Sequence, residues 1–77
     1  MTVEETVIGI VSDVSGEPKE SITLETPLTE FDMDSIDRVD IVVSMEREFW
    51  LSIPDDRIEK LNTVQDLVNL INELRQP

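Results

Sequence analysis

The sequence predicts an all-α fold, a four-helix bundle with three long helices, one short third helix and a long first loop. Apolar residues recur at helical spacing in three separate segments, which argues for amphipathic helices. Capping residues and Gly or Pro stop signals bracket those segments. Between the first two, residues 17–33 carry two prolines and three threonines with no sustained period.

The first helix is the cleanest. Val3, Val7, Ile10, Val11 and Val14 share one helical face. Thr2 followed by Glu5 is a capping-box pair, and Gly16 then Pro18 stop the helix in the expected order. Gly9, in its middle, lowers helix propensity by roughly 1 kcal/mol relative to Ala; close packing or simple tolerance explains it. The loop that follows is long for a small domain, and such loops are functional or packed on the core. Ile22, Leu28 and Phe31 are its expected anchors.

The second helix is expected from Ser35 to Phe49, with Asp34 as N-cap and Asp37 near the third helical position, where acids complement the helix dipole. Two apolar arcs run along it. Ile41, Val42, Met45 and Phe49 form one, and Ile36, Val39, Val43 and Trp50 form a second beside it. Asp37, Asp40, Ser44 and Glu48 occupy the opposite side. Either the helix is central and buries both arcs, or the second arc is exposed for a partner; periodicity does not choose. Leu51-Ser52-Ile53-Pro54 breaks the pattern. Asp55 to Leu61 is then a short third helix with Ile58 and Leu61 inward. The last helix runs from about Thr63 to Leu74, burying Val64, Leu67, Val68, Ile71 and Leu74. Asn62 with Gln65, or Thr63 with Asp66, can cap it.

Seventy-seven residues make one expected domain over 1–77. A chain this short buries roughly 60% of its unfolded surface, so its stability is expected to be marginal. Hydrophobic residues make up 39% and only three are aromatic, so the core is aliphatic. The formal net charge of −12 argues against nucleic acid and anionic membrane surfaces as partners. It favours partners with basic patches, found by electrostatic steering, or it serves solubility alone. Self-repulsion should make the fold gain stability with added salt or divalent cations. No segment approaches the roughly 20 apolar residues of a membrane span, and the acidic start, Thr2-Val3-Glu4-Glu5, does not read as a signal peptide. A cytoplasmic monomer is expected.

The chain has no His and no Cys. That excludes a Ser–His–Asp site, a disulfide framework and the usual zinc ligands. A Ser–Lys site would need Lys19 or Lys60, both far from Ser35 in sequence. Asp32, Asp34 and Asp37 resemble the opening of a calcium loop, but Ile36, Asp37 and Val43 break the template, which leaves only loose divalent binding. What remains is a serine hydroxyl at a helix N-terminus, where backbone N–H groups and the dipole favour an attached phosphate. By itself an Asp-Ser pair is most often an ordinary first turn.

Asp34-Ser35-Ile36, in the run Phe31-Asp32-Met33-Asp34-Ser35-Ile36-Asp37-Arg38-Val39-Asp40, resembles the Asp-Ser-Leu motif of acyl carrier proteins. The similarity spans nearly the whole chain: Val7 to Gly16, Met33 through Phe49, Ile53-Pro54-Asp55-Asp56, and Leu61-Asn62-Thr63-Val64-Gln65-Asp66-Leu67. The tripeptide is weak alone; all of these in register are a strong signal. The resemblance implies a non-enzymatic carrier with no catalytic residue of its own. Ser35 would bear a covalent 4'-phosphopantetheine arm, flanked by Asp34 and Ile36, whose thiol holds acyl groups. A separate phosphopantetheinyl transferase, with magnesium and coenzyme A, would attach it. Acyl-transferring and chain-elongating enzymes of fatty-acid or related biosynthesis would be the partners. They would meet Asp37, Val39, Asp40, Val43, Glu46, Glu48, Asp55, Asp56 and Glu59. Ile41, Val42, Met45, Ile53, Ile58, Leu61 and Leu67 would line the acyl cavity, or simply pack the core.

The chain departs from the family's pattern at several positions. Asp32 stands for a usual glycine. Arg38 replaces a small or acidic residue; it is expected to snorkel at the rim and could narrow an acyl cavity. Arg47 and Arg57 interrupt the acidic strip. Trp50 stands where a small residue ends the second helix; it is expected to cover the core edge, or else to anchor a partner. These departures keep open a carrier dedicated to polyketide or aminoacyl and peptidyl intermediates. A non-pantetheinylated acidic binding module is the alternative of another class.

Overall fold

Local capping sets the ends of α1 (Val3–Ser15). Thr2 Oγ1 accepts the Glu5 N–H at 3.1 Å, satisfying one of the orphan donors of the first turn. Gly16, in the left-handed region at φ 81°, donates its N–H to the Ser12 carbonyl and closes the last turn. Val7 and Val11 are fully buried, with Val3, Ile10 and Val14 packed beside them. A computed structural model supplies this architecture and describes residues 2–31 and 35–75, with the side chain of Ser35 outside that description. The expected roles of Asp32 and Asp34 lie outside the described residues.

Helix α2 (Ser35–Phe49) has the expected bounds. Helix α3 (Asp55–Ile58) is short, and its continuation to Leu61 is made of tight turns: the Lys60 and Leu61 N–H groups bond the carbonyls of Arg57 and Ile58, each three residues back. Helix α4 (Val64–Arg75) buries Val64, Leu67, Val68 and Ile71 as expected. Leu70 joins them, while Leu74 is only half-buried. The described residues thus form four α-helices with no strand. Helix α1 packs against both α2 and α4, and the most deeply buried side chains are Met45, Leu67, Ile71, Val7, Val11 and Val64. At the far end, the Arg75 guanidinium lies 5.7 Å from the Phe49 ring centroid, within cation–π range.

The long first connection is ordered. It contains two short 3-10 helices, Lys19–Ser21 and Leu28–Phe31, which are too brief to leave a periodic signal. Ile22, Leu28 and Phe31 are buried, as the apolar spacing suggested. The loop also completes α4. The Val64 N–H donates to the Thr26 carbonyl at 3.1 Å and the Gln65 N–H to the Leu24 carbonyl at 2.8 Å. The Asp66 N–H donates to Thr63 Oγ1 at 3.2 Å, and Asp66 Oδ2 accepts the Thr63 N–H in return at 3.1 Å. Thr63 with Asp66 is therefore the capping pair. The first three N–H groups of α4 have partners, two of them supplied by residues some forty positions earlier. An isolated antiparallel bridge between Pro27 and Thr63, with the Leu28 N–H bonded to the Asn62 carbonyl at 2.8 Å, fixes this seam.

Candidate functional site

Ser35 is the first residue of α2, so its backbone stands at the positive end of a 15-residue helix. Asp37 lies in the same first turn. Ile36 is 68% exposed, so the face beside Ser35 is open. The second apolar arc continues that face: Val39, Val43 and Trp50 are all exposed. The other arc, Ile41, Val42 and Met45, is buried, with Phe49 packed on the core. The choice periodicity left open falls to an exposed arc.

Acids flank the stripe unevenly. Asp40 and Glu48 on α2 and Asp55, Asp56 and Glu59 around α3 are exposed. Glu46 is half-buried, and its Oε2 accepts the Ile53 N–H at 2.8 Å. It fastens the segment after α2, so one carboxylate oxygen is committed within the chain. Arg57 is also engaged: its guanidinium pairs bidentately with Glu73 of α4, with Nη1 3.0 Å from Oε1. That hydrogen bond and the Arg57 charge hold the Glu73 carboxyl below its usual range, and the same bond and the Glu73 charge raise the Arg57 pKa in turn. Arg57 therefore brings little free positive charge to the strip, whereas Arg47 is exposed upon it.

Behind α2 lies a narrow apolar cleft lined by Leu28, Arg38, Ile41, Val42, Ile58, Leu61 and Leu67. Five of the seven expected cavity residues meet there; Met45 and Ile53 are buried elsewhere in the core. The free space is about 10 Å³, room for about one water. Arg38 is its polar wall, with Nη2 donating to the Leu61 carbonyl at 2.8 Å. Leu28 was not among the expected cavity residues, whereas Arg38 stands at the rim, where it was expected to narrow a cavity. Arg38 precedes Ile41 and Val42 by three and four positions, which puts it on their helical face.

Trp50 does not cover the core edge. It is 93% exposed and sits in the left-handed region at φ 54°. The Leu51 N–H donates back to the Glu46 carbonyl at 3.2 Å, so α2 ends in a Schellman motif with Trp50 at the position that usually takes glycine.

Residues 5–71 match the family described as the phosphopantetheine attachment site. The acyl carrier protein of Kocuria rhizophila is 42% identical over 64 residues, spanning 82% of this chain and 79% of its own. That of Thermosynechococcus vestitus is 39% identical over 69 residues, spanning 88% and 85%. The crystal structure of the acyl carrier protein of Thermotoga maritima superimposes with a TM-score of 0.77 at 33% identity, covering 91% of this chain and 82% of that one. The chain belongs to the phosphopantetheine-attachment family, among the acyl carrier proteins. No helix among the described residues is long and apolar enough to cross a membrane.

The residues present fit the family's cofactor. A phosphodiester needs a hydroxyl, and the residue type that opens α2 is a serine, at a helix start whose dipole favours a phosphate. Ile36 and Val39, one and four positions further along the helix, are uncovered.

Proposed function

We propose that residues 1–77 form a carrier domain in which Ser35 bears the 4'-phosphopantetheine arm, with Asp34 and Ile36 flanking it. When attached, the arm supplies a terminal thiol that holds acyl groups as thioesters. The chain itself contributes the attachment hydroxyl, an apolar stripe for docking and acids that steer basic partners. It needs no base, consistent with its lack of His and Cys. The protein is a carrier and not an enzyme; a phosphopantetheinyl transferase modifies it and acyl-transferring and chain-elongating enzymes use it. It acts as a monomer in the cytoplasm, serving fatty-acyl or related biosynthesis.

One observation carries this reading best: Ser35 opens α2 at the head of an exposed stripe, Ile36, Val39 and Val43. Asp37, Asp40, Glu48, Asp55, Asp56 and Glu59 form the electrostatic border of the docking face. Glu46 contributes less, because it is tied to Ile53. The test is incubation with coenzyme A, magnesium and a broad-specificity transferase, followed by intact mass. The expected result is one phosphopantetheine adduct, abolished by Ser35→Ala. No adduct, or one that survives the substitution, refutes the assignment.

A second reading is a carrier for a specialised pathway. It is favoured by Trp50, an exposed aromatic at the end of the docking stripe, and by Arg38 at the cleft. The acyl group found on protein isolated from its native cell distinguishes the two.

A further inference from the structure

We propose that Arg38 is a specificity-determining residue, a latch that closes the apolar cleft and so suits this carrier to short acyl groups rather than long alkyl chains. The inference rests on the carrier reading above. Six of the seven residues lining the cleft are apolar. Of these, Leu28, Ile41, Val42, Leu61 and Leu67 are at most 6% exposed, and close-packed interiors of this kind do not give way freely. The free space of about 10 Å³ holds about one water, so no alkyl chain enters without moving a wall.

Arg38 is the wall that can move. It is a long side chain with many rotamers, half-buried, and it bridges α2 to the Leu61 carbonyl at 2.8 Å. A chain entering beside Ile41, Val42 and Leu67 must first break that charge-assisted hydrogen bond. Each methylene then buried returns part of the loss, but the packed walls on either side of Arg38 must also part to admit it. A short acyl group has too few methylenes to offset it, and remains outside the bundle, accessible to enzymes. A long alkyl chain gains less here than in a cleft with an apolar rim, and is left with exposed apolar surface.

The experiment compares wild type, Arg38→Ala and Arg38→Met, each loaded at Ser35 from acetyl- or octanoyl-coenzyme A and checked by intact mass. Arg38→Met keeps an apolar stem without the donor, and so serves if the alanine variant folds poorly. Methyl resonances of Ile41, Val42 and Leu67 report entry, and thioester lifetime in hydroxylamine reports shielding. In wild type the acetyl and octanoyl spectra should superimpose and the lifetimes agree. In the variants octanoyl should shift those methyls and lengthen the lifetime severalfold. Octanoyl shifts in wild type as large as in the variants overturn the latch, as does an absence of shifts in every protein. Failure of the mass check is a different result: it overturns the carrier assignment, and the latch with it.

Discussion

Arg38 Nη2 donates to the Leu61 carbonyl oxygen at 2.8 Å, joining the start of α2 to the segment between α3 and α4 across 23 residues of sequence. A charged donor on a half-buried carbonyl is worth about 1.5–3 kcal/mol, and water can replace part of it. Arg38→Met should therefore lower stability by about 1 kcal/mol. Urea unfolding should show a lower midpoint at unchanged slope. An unchanged midpoint would mean that solvent replaces the bond at no cost.

Trp50 is the one non-glycine residue among those described with positive φ. The left-handed conformation costs an ordinary residue about 1–2 kcal/mol, while glycine loses about 0.5–1 kcal/mol through the freedom of its unfolded chain. With the indole 93% exposed, little packing is lost. Trp50→Gly should raise stability by about 0.5 kcal/mol while weakening any partner that uses the indole. Paired urea melts check the first effect, and a loss of stability would show that the indole packs in solution.

Gly9 is not held by close packing. A Cβ added there would lie 3.8 Å from Lys19 Cε, an ordinary contact with the end of a flexible side chain. Gly9→Ala should stabilise the protein by about 0.5–1 kcal/mol through helix propensity. Thermal melts at fixed salt measure it; a fall in the midpoint would mean that the Lys19 stem cannot adjust.

The Arg57–Glu73 pair makes stability depend on acidity. The folded-state pKa of Glu73 is lowered from 4.5 by the hydrogen bond and the charge of Arg57. A depressed carboxylate contributes stability that is fully present above its unfolded value and is lost as pH falls through the folded value. The stability difference between wild type and Glu73→Gln should thus hold at neutral pH and shrink below pH 4.5. Both side chains are solvent-accessible, so the effect is small and weakens with salt. A difference that grows on acidification would contradict the pairing.

Net charge adds a separate term. With −12 on 77 residues, added sodium chloride should raise the melting temperature, because screening relieves repulsion among the acids. A flat salt response would show that ion pairs and burial already compensate it.

The sequence alone determined the helices and the place of Ser35, because those signals are local. Thr2 caps Glu5, Thr63 exchanges bonds with Asp66, and Gly16 stops α1, each within a few residues of its partner. The anchors Ile22, Leu28 and Phe31 were legible as isolated apolar points in a polar loop. The family resemblance was legible too, since its motifs lie in register along the chain. Only the tertiary structure decided which arc of α2 is covered. Both arcs are equally apolar, so the outcome depends on where α1 and α4 sit. It also decided that Thr26 and Leu24 would complete the N-terminus of α4, that Glu46 would be drawn to Ile53, and that Arg38 would span to Leu61. The loop-to-α4 bonds and the Arg38 bond join residues far apart in sequence, and the Glu46 bond crosses the helix stop at Trp50, so no periodic pattern encodes them. Trp50 lies between the two cases. Its backbone is set by a local helix stop, yet its exposure follows from the absence of any neighbour over it in the folded chain.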